Sequence, residues 1–214
     1  MAKTALLIGS TGLIGKQLLQ LLLQSDSYNK VIAIARTPLD VNHPKLDVVI
    51  SPLNELGQQA ERLRADDVFC CLGTTIKQAK TKEAFRAVDF QAPLLVAQLA
   101  LQHGAQQYLL VSALGANKSS SIFYNKVKGE VEEEIGRLGY KTYHIVRPSL
   151  LLGNRKEQRT GEEAAQFFYK IFGKLIPKKY KAIESAKVAR ALLSLASSGQ
   201  LGQWVHESEA LQSY

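Results

Sequence analysis

Short, nearly unbroken apolar runs alternate with longer amphipathic ones from Thr4 to Val146. A strand that is apolar on both faces needs cover on both faces, and an intervening helix is the connection that lets the next strand lie parallel. Strands are expected at 4–8, 31–35, 46–50, 67–72, 108–112 and 142–146. Helical periodicity covers 13–24, 53–63, 81–103 with a kink at Pro93, and 122–138. Right-handed crossovers make such an order an α/β fold with a doubly wound parallel sheet. After Pro148 the alternation loosens into helical patterns at 162–172 and 184–195 and a last strand at 204–206. With no internal repeat, linker or low-complexity tract, the chain reads as a single domain over 1–214.

Composition agrees. With 214 residues, 46% hydrophobic and 21% charged, the chain can bury a sizeable core, which excludes an intrinsically disordered protein. The most apolar runs, such as 18–23, are interrupted by Gln and fall short of the ~20 residues that cross a bilayer. The apolar start is broken by Gly9, Gly12 and Gly15 and lacks a small-residue cleavage site, so a cytoplasmic protein is expected. Cys70 and Cys71 are adjacent; strand neighbours point to opposite faces, so they read as two buried thiols in a reducing compartment. Neither they nor His43, His103, His144 and His206 show metal spacing, and no metal is expected. A net charge of +8 favours anionic partners: nucleotide phosphates, nucleic acid or an acidic membrane surface.

The segment Gly9-Ser10-Thr11-Gly12-Leu13-Ile14-Gly15 lies between the first strand and the first helix. Gly9 suits the tight turn, Gly12 lets backbone approach a pyrophosphate, and Gly15 allows helix and strand to pack closely. The helix start then offers free N–H groups and a positive dipole end to phosphates. Its place after a strand, with further βα units behind it, makes dinucleotide binding the stronger reading. After the second strand an NAD site usually has an acid for the ribose 2′-hydroxyl; this chain has Arg36. A guanidinium suits a 2′-phosphate, which points to NADP(H); Lys16 adds charge or is a solvated helix residue.

Ser112 ends the fifth strand, at the sheet edge where open α/β folds present their ligand crevice. Tyr124 and Lys128 follow at i and i+4, on one helix face. A free tyrosine titrates near ~10, and a nearby ammonium favours its phenolate. Tyr124 can then exchange a proton with a carbonyl or alcohol while hydride passes to or from nicotinamide.

The GxxGxxG spacing with Ser112, Tyr124 and Lys128 resembles the extended and atypical branches of the short-chain dehydrogenase/reductase family. Gly115 completes that family's S-x-x-G spacing, whereas the position of its further Asn is filled by Val88-Asp89-Phe90. The strings CCLGTT at 70–75, FRAVD at 85–89, KSSSIFYNKVKGEVE at 118–132 and RPSLLLGNR at 147–155 are similar to one atypical subgroup. That subgroup takes in the mammalian HIV Tat-interacting protein and small bacterial NAD(P)-binding oxidoreductases. The resemblance covers essentially the whole chain and implies a Rossmann fold in which residues 149–214 supply the substrate side. It implies phosphate contacts from Gly9, Ser10, Thr11, Gly12, Leu13 and Ile14, and an adenosine contact from Arg36. Leu72, Gly73 and Thr74 would flank the adenine and ribose; Lys128, Arg147, Pro148, Ser149 and Leu150 would meet the nicotinamide end; Ser112 would hold the substrate oxygen.

The reading is therefore an NADP(H)-dependent oxidoreductase acting on a small carbonyl or alcohol. A non-catalytic NADPH sensor and a nucleoside-diphosphate-sugar epimerase-like enzyme are the alternatives. Phe167, Phe168 and Phe172 either line an apolar cleft or are plain core. Lys170, Lys174, Lys178, Lys179 and Lys181 form a basic patch open to anionic lipid, protein or nucleic acid. A solvated basic face is the commoner explanation, and a small-molecule substrate without nucleic acid is expected.

Overall fold

The computed structural model describes residues 2–152 and 177–214. The helical pattern expected at 162–172, the three phenylalanines within it, Lys170 and Lys174 lie outside them, as does the side chain of Lys178.

The chain runs through β1 (Lys3–Ile8), α1 (Leu13–Gln24), β2 (Tyr28–Ala35) and β3 (Leu46–Ile50), then a 3₁₀ stretch (Leu53–Leu63) and β4 (Asp67–Cys70). A short α2 (Ile76–Ala79) and α3 (Lys82–Arg86) lead through a π-helical turn (Ala87–Gln91) into α4 (Ala92–Gln102). There follow β5 (Gln107–Val111), α5 (Phe123–Gly136), β6 (Thr142–Arg147), β7 (Leu151–Leu152), β8 (Ile183–Glu184), α6 (Ser185–Ala196), β9 (Gly202–Glu207) and α7 (Ser208–Leu211). Seven strands make one parallel sheet in the order β3-β2-β1-β4-β5-β6-β9.

Side-chain alternation feeds two cores. Ala5 and Leu7 of β1 join Leu18 and Leu22 of α1 and Val188 and Leu192 of α6 on one face. Leu6 and Ile8 join Leu56, Val96 and Ala100 of the 3₁₀ stretch and α4, with Val131 and Ile135 of α5, on the other. The doubly wound α/β arrangement expected from the sequence is the one observed. From β1 the chain winds outward to β3, then returns to the opposite side of β1 for β4, so the loops after β1 and β4 diverge and open a crevice.

Several boundaries move. β4 ends at Cys70, beside the point where Gly9 comes against the Cys71 carbonyl, and the Cys71 N–H still reaches the Ile8 carbonyl at 2.9 Å. β5 ends at Val111, leaving Ser112 as the first loop residue, its N–H still bonded to the Val146 carbonyl at 2.8 Å. The expected helix over 81–103 is interrupted before Pro93. The π-helical turn is closed by the Ala92 N–H on the Ala87 carbonyl, and Pro93 then stands in the first turn of α4, where a missing N–H costs little. The stretch Lys82–Gln102 has the length and mean hydropathy, 1.2, of a membrane span, which unbroken apolar runs did not reveal. Of that stretch Phe85, Val96, Ala97 and Ala100 are buried within the molecule, as is 39% of its apolar window.

One feature of the β6–β9 seam makes stability pH-dependent. His144 is fully buried, with Nδ1 3.0 Å from Nε2 of His206. Burial, then the neighbouring His206, push the His144 pKa down to about 4. An unfolded histidine titrates near ~6.5, so between these values the unfolded chain binds more protons and folding weakens as pH falls. Chemical denaturation should show stability lost from about pH 6.5 to pH 4, by up to ~3 kcal/mol. His144→Leu should flatten that slope; an unchanged slope would place its origin elsewhere.

Candidate functional site

Two glycines of the first turn are demanded by packing. Gly9 has φ +87°, and a Cβ there would lie 2.6 Å from the Cys71 carbonyl. A Cβ on Gly15 would lie 2.0 Å from the Gly9 carbonyl oxygen. Gly12 differs: its nearest contact would be 3.4 Å, so the fold itself has room for a side chain that the sequence leaves out. α1 has no side-chain cap, and its first-turn N–H groups face the crevice with the positive end of the helix dipole. The Ser10 hydroxyl is buried without a partner among the described residues. A bare glycine surface, an uncapped helix end and an unsatisfied hydroxyl fit a dinucleotide pyrophosphate.

Gly12, Leu13 and Ile14 form one end of a cleft of about 420 Å³. Its walls are Cys71 to Thr74 after β4, Val111 at the end of β5 with Ser112 to Leu114 beyond it, Pro148 to Leu151 after β6, and Tyr124 and Lys128 from α5. Burial pushes the Cys71 thiol well above its ordinary value, and both cysteines are free. Gly115, at φ +82°, turns the chain back after β5. The amino end of α5 is held by the Asn117 N–H on the Asn125 carbonyl, at 3.0 Å, and by a close approach at Gly129, where a Cβ would come within 2.2 Å of the Lys118 nitrogen. Tyr124 is half-buried, its ring 5.6 Å from that of Phe85.

Lys128 is only 3% exposed, and its Nζ lies 2.8 Å from Oδ1 of the fully buried Asp89. The other Asp89 oxygen accepts the Thr74 N–H at 2.9 Å. Burial alone would lower the Lys128 pKa; the Asp89 carboxylate, and then Tyr124, more than offset this and hold it above the usual lysine value. Nothing in the sequence pattern marks Asp89 for a role; it lies in the Val88-Asp89-Phe90 stretch that fills the position of the family's Asn.

Ser112 lines the cleft, with its hydroxyl donating to Oε1 of buried Glu132. Arg147 grips the same carboxylate through Nε at 3.0 Å and Nη2 at 2.6 Å, and reaches Glu207 at 2.9 Å. The side chain expected at the nicotinamide end is thus committed to Glu132 and Glu207 and does not line the cleft, although Pro148, Ser149 and Leu150 do. Hydrogen bonds to Glu132 and Glu207 hold the Arg147 pKa above its ordinary value. Glu132 was missed from sequence; its signal was position, four residues beyond Lys128 and eight beyond Tyr124 on one helix face. Ser149 also has its hydroxyl engaged, donating to the Lys181 carbonyl and accepting from Ser208 at 2.9 Å.

Arg36 is exposed one residue beyond β2, at the sheet edge that carries the Gly9 turn, and has no ion pair among the described residues. Thr11 and Lys16 are exposed as well. Of the basic patch, Lys179 is exposed and lies 4.8 Å from the Tyr180 ring centroid, and Lys181 is half-buried.

A protein family described as NAD(P)H-binding matches residues 9–198. Among curated proteins the chain is similar to Protein HTATIP2 of Rattus norvegicus, 35% identical over 208 residues, covering 94% of this chain and 84% of that one. It is also similar to the protein named FMP52, mitochondrial, of Debaryomyces hansenii, 34% identical over 202 residues, covering 91% and 88%. Among solved structures, MoeE5 in complex with UDP-glucose and NAD aligns with a TM-score of 0.73 at 17% identity, over 94% of this chain and 74% of that one. The oxidoreductase ylbE from Lactococcus lactis aligns with a TM-score of 0.67 at 20% identity, over 98% and 95%. At such identities the structural likeness speaks for the fold.

The glycine geometry separates folding from binding. Gly15→Ala should destabilise the protein by a few kcal/mol, because α1 must lift off Gly9; ~2 kcal/mol or more is expected of overpacking at so close a contact. Gly12→Ala should leave the melting temperature within a few degrees of the parent and weaken dinucleotide binding, measured by calorimetry, by about tenfold or more. Unaltered affinity in Gly12→Ala would remove the turn from the binding site.

Proposed function

The chain belongs to the NAD(P)H-binding family, and from that premise we propose that it is an NADP(H)-dependent oxidoreductase of the atypical short-chain dehydrogenase/reductase type, reducing a small carbonyl or oxidising an alcohol. The observation that carries the reading is the convergence of Ser112, Tyr124 and Lys128 on the cleft that the glycine turn opens.

The nicotinamide, when bound, supplies or accepts the hydride. Gly12, Leu13 and Ile14 would hold the pyrophosphate with backbone N–H groups, and Leu72, Gly73 and Thr74 would border the adenosine side. Tyr124 gives its phenolic proton to a carbonyl oxygen as charge develops there, or takes it from an alcohol in the reverse direction. The Lys128 ammonium, one helical turn further along α5, would meet the nicotinamide ribose. With its proton committed to Glu132, Ser112 meets the cleft through its lone pairs and orients a substrate hydroxyl; to hold a carbonyl oxygen it must turn that proton away from Glu132.

The NADP(H) preference rests on Arg36, exposed and without an ion pair among the described residues, and on the absence of an acid at the end of β2. NADPH should bind at least tenfold more tightly than NADH, about 1.4 kcal/mol, and Arg36→Ala should remove most of that margin. Equal affinities in the parent, measured by calorimetry, would end the 2′-phosphate reading.

Tyr124→Phe should preserve fold and NADPH affinity while turnover of an accepted carbonyl falls by about 10² to 10⁴. A variant that reduces its substrate at the parent rate would end the assignment of Tyr124 as proton donor. A parent protein that binds NADPH yet turns over nothing in a broad carbonyl panel would favour a sensor.

A further inference from the structure

A lysine that assists a neighbouring phenol does so by its charge, and here that charge is already met. Lys128 Nζ and Asp89 Oδ1 are 2.8 Å apart, both side chains are almost wholly withdrawn from water, and the loop backbone lies over the pair. A Cβ on Gly73 would be 3.8 Å from Asp89 Oδ1 and 4.0 Å from Lys128 Nζ. The Thr74 N–H fixes the second carboxylate oxygen, so the acid cannot swing away without breaking that bond as well.

We propose that Asp89 is a positioning residue with two effects: it fixes Lys128 Nζ at the cleft floor, and it cancels most of the ammonium's pull on the Tyr124 proton. This rests on the oxidoreductase reading above. A single charge acts on a neighbour through a field that falls slowly with distance; a tight ion pair acts as a dipole, whose field falls faster. Around Lys128 the titratable groups are Asp89 from the π-helical turn, Tyr124 from α5 and Cys70 from β4. Burial raises the Cys70 thiol above its ordinary value, so that side contributes no anion near neutrality. On the α3 side of Tyr124 the neighbour is the uncharged Phe85 ring. Of the cations on that side, Arg86 is paired with Glu130 at 2.6 Å, and Lys82, over the Phe123 ring at 5.3 Å, is exposed to water that screens its charge. The pair Lys128–Asp89 therefore sets the local charge.

Removing a partner from a buried pair leaves an uncompensated charge, whereas replacing both with neutral groups leaves none. Asp89→Asn turns the neutral pair into a net cation; Asp89→Asn with Lys128→Met restores neutrality. The measurement is the phenolate absorbance of each protein against pH, taken as the difference from the same protein carrying Tyr124→Phe, which isolates one tyrosine and needs no substrate. The Asp89→Asn curve should move to lower pH by about one unit, a typical effect of a close opposite charge. The double variant should superimpose on the parent. An Asp89→Asn curve coincident with the parent would overturn the proposal and leave Asp89 a structural clamp.

If Asp89→Asn does not fold, the double variant decides. Coincidence with the parent supports cancellation; a curve about one unit above the parent shows that Lys128 acts on Tyr124 with its full charge and overturns it. Carbonyl turnover followed alongside separates the two readings. A phenolate shift in a protein without turnover counts against the oxidoreductase assignment alone. Turnover with no phenolate shift counts against the role of Asp89 alone.

Discussion

The contact on which the rest depends is the seating of α1 on the Gly9 carbonyl, where Gly15 leaves no room for a methyl group. Because Gly9 is itself pressed against Cys71, β1, β4 and the first turn of α1 meet at one point. That point is also where the winding of the sheet reverses, so the helix end is brought as close as backbone allows to the crevice between the two halves. An uncapped helix end is a cost when it faces nothing, and an anion is the partner that makes best use of it.

α5 serves the other side of the cleft as a ruler. Tyr124, Lys128 and Glu132 recur every fourth residue, and each finds a different partner: the Phe85 ring, the Asp89 carboxylate, and the Ser112 hydroxyl with Arg147. Three elements that are distant in sequence are thereby held to one helix face. The strength of this arrangement lies in mutual dependence, since deleting one member of a buried pair commonly costs ~3–5 kcal/mol by stranding the other.

The strands were legible because a strand buried on both faces can hardly be anything but apolar, and the turn was legible because at Gly9 and Gly15 only glycine tolerates the contacts. Tyr124 and Lys128 were legible through helical geometry. What the sequence could not convey is direction. Arg147 ends β6, and a residue at a strand end can turn either way; the choice was made by Glu132, whose position opposite it exists only in the folded chain. Asp89 was hidden similarly, since its partner comes from a helix almost forty residues further on. Residues 53–63 looked helical from spacing, yet Gly57 and the many polar positions support only a 3₁₀ stretch that buries Leu56 and Leu63.

The sheet order also bears on what it costs to hold the cleft together. Ala5 pairs with Asp67 and Thr142 with Gly202, far more distant partners than Thr4 with Lys30, Val31 with Leu46 or Gln107 with Thr142. Such long-range pairings carry the larger loop-closure entropy, by about 0.6 kcal/mol for each doubling of the spacing. The crevice is the gap between the loops after β1 and β4, so it lies over one of these costly closures, while the wall after β6 is braced by Arg147 on Glu132 of α5 and on Glu207 of β9. A nucleotide spanning the loops after β1 and β4 would tie together the two halves whose pairing carries the larger closure cost, and so add its binding free energy to the stability of the folded chain.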